Sequence, residues 1–371
     1  MGDSEEDGIA ATPRPPWRET LDRRQFIAAI AAGAIVPACA HAAEPIEWVV
    51  PFQEGGGTDV WARFMAGWLS ATLPDRPEVR LLNVSGGNST RAANFFAAEA
   101  RADGRMLLGT TGSTQFAALL GDRRVQYDYA DWRIVAAQPS GGVIYVPASL
   151  GVSTMEGLLA RGRQVHFGSI GAASLDIVPL LALEMLGLDV AVLLGLNSRN
   201  AARAGLIGGE FDIDYQTTPG YLGQVQPLAE AGEVVPLMSL GALDRHGRLA
   251  RDLAFPALPC FPEVYRQVHG RDPEGARWQA WQALFRAGFA AQKMVFLPRS
   301  VPEERAAVFH DAFTRMGADP AFRAEAAAVL GPYPLLAGAQ ADAALTSAMN
   351  MDPEIRNWTR AWLERRFRVT P

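Results

Sequence analysis

The fold of this chain is decided by residues 46–73, which read IEWVVPFQEGGGTDVWARFMAGWLSATL. The opening run IEWVVPF has the length and composition of a buried β-strand. After a glycine-rich loop, apolar residues recur at helical spacing, at Val60, Phe64, Met65, Trp68 and Leu69. Thr58 can cap this helix and Pro74 ends it, so we expect a helix over 59–73. The stretch therefore predicts one strand–loop–helix unit.

The same alternation continues along most of the chain. Further strand-like runs, separated mostly by helical patterns, read VRLLNV, RMLLGT, GVIYVP, QVHFG, DVAVLL, FDIDY and VVPLMSL. This alternation predicts parallel βαβ units and an α/β fold. A capping box from Ser153 to Glu156 predicts a short helix that ends before Gly162. Towards the C-terminus the pattern favours helices alone, over 302–317, 321–330 and 340–366.

Length and composition are those of a folded, soluble, two-domain protein. The chain has 371 residues, of which 49% are apolar and 20% are charged. Its net charge of −6 offers no basic face for a phosphate backbone, which argues against nucleic-acid binding. Arginine dominates the basic residues, and Lys293 is the only lysine. We attribute this imbalance to GC-rich codons rather than to mechanism.

We interpret residues 1–42 as an export signal. Two arginines at 23–24 lead into the charge-free run IAAIAAGAIVPACAHAA, which is shorter than a membrane span. The run contains the small-x-small triplet AHA at 40–42, which is typical of a cleavage site. This pattern indicates a twin-arginine signal peptide, and we expect a periplasmic mature chain that starts at Ala43.

Two anchored forms are the alternatives to cleavage. The signal could remain as an uncleaved anchor, or the chain could be a lipoprotein anchored through Cys39, although Pro37 argues against lipidation. After cleavage at the predicted site, Cys260 is the only cysteine left, so no intrachain disulfide can form.

Glycine-rich loops at 55–59, 110–114 and 168–174 each lie between a predicted strand and a predicted helix. In an open parallel sheet, ligands bind beyond the carboxyl ends of the strands, where such loops and helix N-termini converge. Glycines let the backbone approach a ligand, and the N–H groups of a first helical turn favour an anion. A tight turn explains any one of these loops, but the three together favour a donor-lined pocket for a small anion.

Signatures of common enzymes are incomplete. Val60 occupies the third glycine position of a dinucleotide-binding loop, and no Walker loop occurs. The nearest match to a serine-hydrolase elbow is FGSIG at 167–171, in which a phenylalanine replaces the leading glycine. Ser169 or Ser113 as a nucleophile would need a histidine within hydrogen-bond reach, and we expect His166 to point away from the loop.

Metal and acid–base sites have little support. The histidines of the mature chain show no metal-binding spacing; they are His166, His246, His269 and His310. Asp212 and Asp214 would share one face of a strand over 211–215, which suits either an acid pair or a solvated strand end. We therefore expect neither a metal nor a cofactor.

Several motifs together resemble the substrate-binding receptors of tripartite tricarboxylate transporters, the Bug family. In chain order they read PFQEGGGTDVWAR, GGNSTRAANFFA, ADGRMLLGTTGST, HFGSIGAAS and LIGGEFDIDYQTTPGYLGQVQPLAEAGEV. The similarity runs in register over nearly the whole mature chain and is strongest at 47–60, 102–114 and 206–233. It implies a type II-like periplasmic binding protein, with two α/β domains hinged around a ligand cleft.

The resemblance implies that the chain crosses between its domains twice. We assign residues 43–141 to domain 1 and 142–245 to domain 2. Residues 246–371 return to domain 1 and include the C-terminal helices, with the second crossing somewhere in 240–295.

The resemblance also implies that loops at 55–59 and 168–174 hold a small carboxylate or a related amide through backbone N–H groups and hydroxyls. The candidate ligand-binding residues are Phe52, Gly55, Gly56, Gly57, Thr58, Asp59, Thr111, Gly112, Ser113, Gly168, Ser169, Ile170, Gly171, Ala172, Ala173, Ser174 and Gln216.

The chain departs from the family pattern on the far side of this pocket. The run LLGLNS at 193–198 stands where the family often has Tyr-Lys-Gly, and Ile177 and Gln216 replace a histidine and an aspartate. The ligand therefore cannot be inferred from common family members. Arg199 and Arg203 lie nearby and could supply charge, but we interpret them as part of a solvated helix face. The segment 268–285 is expanded, which could change the hinge or a partner surface.

The function implied by the resemblance is that of a monomeric, non-enzymatic receptor that delivers a small carboxylate to a membrane permease. A secreted serine-type hydrolase is the alternative from a different class. The same fold could also present its ligand to a signalling protein, and the sequence does not separate sensing from transport.

Overall fold

Most strands gather into one five-stranded sheet in the first lobe and two smaller, linked sheets in the second lobe. The structure is a computed structural model that describes residues 44–244 and 246–369, and these residues belong to one compact unit. The export segment predicted over 1–42, with its twin arginines and Cys39, lies outside the described residues.

The sheet of the first lobe has the strand order β2-β1-β3-β12-β4. Its strands are β1 (Ile46–Val50), β2 (Val79–Asn83), β3 (Met106–Thr110), β4 (Trp132–Gln138) and β12 (Lys293–Pro298). β1 is parallel to β2 and β3, whereas β12 is antiparallel to β3 and β4. Neither β4 nor β12 is among the strands that the sequence predicts, so the sequence pattern did not indicate this antiparallel part of the sheet. Every residue of β12 is buried, which suits its position inside the sheet.

The second lobe contains a three-stranded sheet and a two-stranded sheet. Its strands are β5 (Gly142–Pro147), β6 (Val165–Ser169), β7 (Val190–Leu194), β8 (Asp214–Thr217) and β9 (Val234–Ser239). β5 is antiparallel to β8 and β9, and β6 is parallel to β7. The expectation of parallel units is therefore wrong for β5, β8 and β9. A bridge between Phe167 and Ile213 links the two sets. A short antiparallel ladder follows, formed by β10 (Ala242–Leu243) and β11 (Leu249–Ala250).

Helices connect the strands and make up the C-terminal part. They are α1 (Gly57–Thr72), α2 (Thr90–Glu99), α3 (Gly112–Leu120), α4 (Met155–Ala160), α5 (Ile177–Met185), α6 (Arg199–Ile207), α7 (Thr218–Gln224), α8 (Gln226–Glu230), α9 (Phe261–His269), α10 (Gly275–Phe285), α11 (Glu303–Ala318), α12 (Pro320–Leu330), α13 (Ala339–Met349) and α14 (Pro353–Phe367). A π-helical turn at Arg286–Ala290 continues α10. Among the described helices, none combines the length and the apolar character that crossing a bilayer requires.

The start of α1 differs from the predicted one. The helix begins at Gly57, and its N-cap is Gly56 in an extended conformation. Thr58 therefore lies inside the first turn and does not cap the helix. Because the N-cap residue is a glycine, it has no side chain that could accept a hydrogen bond from the first N–H groups of α1.

Two other helix limits are also corrected. The N-cap of α4 is Thr154, not Ser153, and its hydroxyl accepts a hydrogen bond from the Gly157 N–H at 3.1 Å. The helix predicted over 340–366 is divided into α13 and α14, which begins at Pro353. Proline cannot continue a helix because it lacks the N–H group and its ring clashes with the preceding turn.

The largest hydrophobic cluster joins the two lobes. It includes Phe116 of α3, Ile177 of α5 and Trp281 of α10, all fully buried. The indole N–H of Trp281 donates to the Val178 carbonyl oxygen at 3.2 Å. The expanded segment 268–285 thus contributes to the core through α10.

Candidate functional site

A cavity of about 100 Å³ lies where the two lobes meet. In the first lobe it is lined by the loop after β1, the loop after β3 and the residue before β12. In the second lobe it is lined by the loop after β6, the start of α6 and part of β8. Loops at the carboxyl ends of β1, β3 and β6 thus converge on one cavity, as in other open α/β sheets.

Part of the predicted ligand site lines this cavity, namely Phe52, Gly56, Gly57, Thr58, Thr111, Ser113, Ile170 and Gln216. The other predicted residues are not in the lining: Gly55, Asp59, Gly112, Gly168, Ser169, Gly171, Ala172, Ala173 and Ser174. The cavity is also lined by residues that sequence reasoning did not assign to the site: Gln53, Glu54, Leu175, Asp176, Ser198, Arg199, Asn200, Tyr215, Thr217 and Gln292.

Asp59 holds the first loop in shape. Its carboxylate accepts hydrogen bonds from the Gly55 N–H at 2.9 Å, the Arg63 guanidinium at 2.7 Å and the Asn83 amide at 3.0 Å. Burial alone would raise the pKa of Asp59, but these hydrogen bonds outweigh burial and hold the pKa below its ordinary value. The side chain is 1% exposed, so Asp59 supports the loop from behind.

The glycines of this loop have different roles. Gly55 has a φ of +77°, a left-handed conformation that favours glycine. A Cβ on Gly57 would lie 3.1 Å from the Thr217 hydroxyl, so Gly57 permits close approach of the second lobe. Gly56 has an ordinary φ of −79°, and a Cβ there would have the Gln53 carbonyl oxygen as its nearest described neighbour, at 3.6 Å.

Asp176 organises the opposite wall. Its carboxylate accepts hydrogen bonds from the Ser169 hydroxyl at 2.8 Å, the Ile170 N–H at 2.7 Å and the Tyr215 hydroxyl at 2.8 Å. It also pairs with Arg199 at 3.2 Å. The Asp176 carboxylate is thereby saturated with donors, and the loop after β6 is fixed to β8.

These contacts give no support to the serine-hydrolase alternative. Ser169 is fully buried, and its hydroxyl donates to Asp176 rather than to a histidine. The Ser113 hydroxyl oxygen accepts a hydrogen bond from the Leu175 N–H at 3.0 Å. The ring of His166 contacts the Asp212 carboxylate at 2.9 Å instead.

Two predicted glycines serve packing. A Cβ on Gly168 would lie 2.5 Å from the Phe211 ring, and one on Gly112 would lie 2.6 Å from Leu175 and 2.8 Å from the backbone of Gly288. In the loop that follows Gly168, the Ser174 hydroxyl donates to the Gly171 carbonyl oxygen at 2.6 Å. These residues allow close packing or hold the loop backbone by a hydrogen bond, and none of them lines the cavity.

The interpretation of Arg199 as part of a solvated helix face is wrong. Its side chain is 13% exposed and forms ion pairs with the buried carboxylates of Asp176 and Asp214. The guanidinium also lies over the Tyr215 ring, 4.5 Å from its centroid, and donates to the Gly168 carbonyl oxygen at 2.8 Å. Asp176 and Asp214 are buried carboxylates and need a nearby cation. This need is the signal that could have assigned Arg199 to the site.

Asp212 and Asp214 have separate partners. Asp212 pairs with Arg163 at 2.8 Å and contacts His166 near the surface. Asp214 is buried, pairs with Arg199 and accepts a hydrogen bond from the Tyr145 hydroxyl at 2.5 Å. The contacts of Asp212 and Asp214 therefore do not support the hypothesis that they act as an acid pair.

Gln292 and Lys293 lie behind the first loop. The Lys293 ammonium donates to the Thr58 hydroxyl oxygen at 2.6 Å and lies 6.0 Å from the centre of the Trp61 ring. Burial lowers the pKa of Lys293 to about 7. Gln292 lines the cavity, and its side-chain oxygen has no hydrogen-bond partner among the described residues. Sequence reasoning missed both because it attributed the single lysine to codon bias and did not predict β12.

The described residues contain no cluster of His, Cys, Asp and Glu that could hold a metal ion.

No protein-family model matches the chain, but two curated relatives do. Protein BugT of Bordetella pertussis is 27% identical over 249 residues, which is 64% of this chain and 71% of that protein. A UPF0065 protein from the TAR-I ttuE-ttuC' intergenic region of Agrobacterium vitis is 28% identical over 229 residues, or 58% of this chain. The match spans 64% of that second relative, less than two thirds of its length.

Solved structures share the fold at low sequence identity. An R. palustris protein with adipate has a TM-score of 0.65 and 20% identity, over 89% of this chain and 99% of that chain. The periplasmic binding protein BugD has a TM-score of 0.63 and 18% identity, over 88% and 97%. MatC from Rhodopseudomonas palustris with bound malate has a TM-score of 0.61 and 18% identity, over 85% and 99%.

These matches confirm two predictions. The sequence relatives confirm the resemblance to Bug-type receptors. The superpositions confirm an α/β periplasmic binding protein fold with a cleft between two lobes.

Proposed function

We propose that the chain is a periplasmic receptor that captures a small organic carboxylate, or a related amide, for the permease of a tripartite tricarboxylate-type transporter. The observation that carries this proposal is the cavity at the junction of the lobes, which is lined by the N-terminus of α1 and by Ser198, Asn200 and Gln216 of the second lobe. Named relatives and ligand-bound neighbours support the ligand class, since two neighbours carry adipate and malate.

We place one carboxylate of the ligand on the loop before α1. The first N–H groups of a helix have no partner within the helix, and the helix dipole favours negative charge at that end. Gly56, Gly57 and Thr58 carry this end of α1 into the cavity lining. Arg199, the arginine of the lining, is already paired with two carboxylates and offers no free charge, so backbone dipoles attract the anion at this end of α1.

A thermal-shift screen tests the proposal. The probes are succinate, malate, adipate, citrate and the monoamide succinamate, each added to purified mature protein. A ligand that binds only the folded state adds about 2.7 kcal/mol of stability at 100 times its Kd, so a binding acid should raise Tm. No rise with any of the five probes, or hydrolysis of an ester or amide that is lost in Ser169→Ala, would contradict the proposal.

We also propose that the receptor acts as a monomer, without a cofactor and without catalytic turnover. Its two domains are residues 43–141 with the returning 246–371, and residues 142–245. The place of β12 in the first sheet supports a second crossing before Lys293, within 240–295.

We further propose export by the twin-arginine route with cleavage before Ala43, and no lipid anchor at Cys39. Replacing Arg23 and Arg24 by lysines should keep the precursor in the cytoplasm, as fractionation and blotting would show. Normal periplasmic amounts of the double variant would argue for another route.

A further inference from the structure

Lys293 is the only lysine among the 371 residues, and it is 3% exposed inside the first sheet. A buried ammonium normally pairs with a carboxylate, because an isolated buried charge is costly. In the described part of the chain Lys293 pairs with none; its contacts there are the Thr58 hydroxyl and the face of Trp61.

The charges on neighbouring elements are engaged elsewhere. On α1, Asp59 and Arg63 bond each other at 2.7 Å. On β4, Arg133 pairs with Glu303. β3, Met106–Thr110, contains no ionisable side chain.

Two titratable groups precede the strands of this region. Arg286, in the π-helical turn before β12, is exposed. Tyr129, just before β4, is buried, which raises its pKa well above its ordinary value and keeps it neutral. Among residues 44–244 and 246–369, none forms an ion pair with the ammonium of Lys293.

We infer that Lys293 supplies the counter-charge for the ligand carboxylate and acts through Thr58, as a positioning residue that makes the threonine hydroxyl a donor to the anion. This inference rests on the proposed function. Thr58 lines the cavity, and the Lys293 ammonium lies 2.6 Å from its hydroxyl oxygen.

The direction of the Lys293–Thr58 hydrogen bond depends on protonation. An ammonium can only donate, so the Thr58 oxygen accepts and its own proton remains free for the ligand. A neutral amine accepts the hydroxyl proton instead and removes that donor from the cavity. The bound anion in turn stabilises the ammonium, so binding and protonation strengthen each other.

This coupling has a defined pH dependence. The pKa of Lys293 is lowered to about 7 by burial, so the free protein loses this proton as the pH rises above neutrality. A bound carboxylate raises that pKa, and the protein then takes up a proton on binding. Affinity should fall by roughly fivefold or more between pH 6.5 and pH 8.5 for adipate or malate, whose carboxylates stay almost fully ionised over this range.

Isotope labelling gives a direct test. Lysine labelled with ¹³C at Cε should yield a single side-chain signal, because Lys293 is the only lysine. Its pKa is measured in the free protein and with succinate, malate, adipate, citrate or succinamate at saturation. We expect titration near neutrality without ligand and at least one pH unit higher with a bound acid.

Variants and calorimetry supply the second readout. Calorimetry in buffers of different ionisation enthalpy measures proton uptake, which should disappear in Lys293→Met and in Thr58→Val but persist in Thr58→Ser. Arg305→Met, which removes an exposed cation that stacks on Phe309, is the matched control and should keep the wild-type pH profile.

The outcomes separate this inference from the proposed function. If an acid binds but the lysine signal and the proton uptake do not change, the role of Lys293 is refuted while the receptor stands. If none of the probes binds the wild type, the proposed function fails and this inference fails with it. If Lys293→Met does not fold, the wild-type titration alone decides.

Discussion

Charged side chains around the cavity are buried in different ways. Arg199 has two carboxylate partners, Asp59 has three donors, and Lys293 has a hydroxyl and an aromatic ring. Breaking a buried ion pair leaves an uncompensated charge, whereas removing an unpaired buried charge relieves a penalty. Substitutions at Arg199 and Lys293 should therefore change stability in opposite directions.

Arg199→Met should lower the free energy of unfolding by about 3–5 kcal/mol, because Asp176 and Asp214 would remain buried without their cation. Arg163→Met is the matched control. It breaks the pair with Asp212, in which the arginine is 47% exposed, and should cost about 0–1 kcal/mol. Urea denaturation compares the two, and equal losses would contradict the structural role of Arg199.

Lys293→Met should remove a pH dependence of stability. The pKa of Lys293 is about 7 in the folded protein and 10.5 ordinarily, so between these values the unfolded chain binds the proton more tightly. The free energy of unfolding of the wild type therefore rises as the pH increases from 7 towards 10.5, and the penalty is fully present below 7. The variant should be the more stable protein at pH 7 and lack this rise. Denaturation of the wild type and the variant at pH 7 and pH 9 measures both effects. An equal rise in the free energy of unfolding of the two proteins would contradict this prediction.

At the scale of elements, the residues between β1 and α1 have two different tasks: some line the cavity, and others hold the loop in shape. Gly56, Gly57 and Thr58 line the cavity, whereas Gly55 and Asp59 fix the loop from outside the lining. The motif reads as one continuous ligand loop in the sequence, and only the fold divides its residues between these two tasks.

Asp59→Asn should cost about 1–3 kcal/mol of stability, contrary to the small effect that charge removal alone suggests. An amide NH₂ in place of one carboxylate oxygen would face donors, either the Gly55 N–H and Arg63 or the Asn83 amide. Glu54→Gln is the control, because Glu54 is 76% exposed and its pair with Arg63 at 3.5 Å is weak. Chemical denaturation of both variants checks this; a wild-type midpoint for Asp59→Asn would disprove the supporting role.

Gly56→Val should weaken ligand binding while leaving the fold intact. The position has an extended backbone that valine adopts readily, and a Cβ has room beside the Gln53 carbonyl oxygen. The branched side chain would occupy space that we assign to the carboxylate, so affinity should fall at least tenfold, which is about 1.4 kcal/mol. Calorimetry on the folded variant measures the affinity, and Gly56→Ala is a control that adds less bulk. Undiminished affinity in Gly56→Val would show that the carboxylate does not bind at this loop.

At the scale of the whole molecule, the lobes share packing as well as a cleft. Gly112 at the start of α3, Leu175 after β6 and Gly288 in the π-helical turn meet so closely that no Cβ fits on Gly112. The sequence motif around Gly112 predicts a ligand contact, but this glycine packs against the Leu175 side chain and the Gly288 backbone.

Gly112→Ala should therefore lower the free energy of unfolding by about 1–3 kcal/mol through overpacking. Its Cβ would lie 2.6 Å from Leu175 and 2.8 Å from the Gly288 backbone. Gly67→Ala inside α1 is the opposite case, because a Cβ there would meet no described atom outside its own helix backbone within 4 Å. Alanine should therefore raise the free energy of unfolding by about 0.5–1 kcal/mol. Thermal and urea denaturation of the pair measure the difference, and a neutral Gly112→Ala would refute the packing argument.

The sequence by itself determined the features that depend on short stretches of chain. Apolar runs such as GVIYVP at 142–147 predicted strands at or near their observed limits. The glycine-rich segments were placed correctly at junctions between a strand and a helix, although α1 and α3 begin inside two of them, at Gly57 and Gly112. The resemblance to Bug-type receptors likewise rests on contiguous motifs. Period, capping and turn chemistry act over a few residues, so a linear reading can detect them.

The tertiary structure alone decided which of those residues face the cavity and how its charges are balanced. The antiparallel insertion of β12 brings Lys293 beside Thr58, which is 235 residues away in the chain, and the fold places Arg199 between Asp176 and Asp214. Whether an arginine is solvated or a lysine lacks a counter-ion depends on groups that are distant in sequence. The electrostatic energy of a buried charge is set by all of its neighbours in space, and no local pattern of residue types records them.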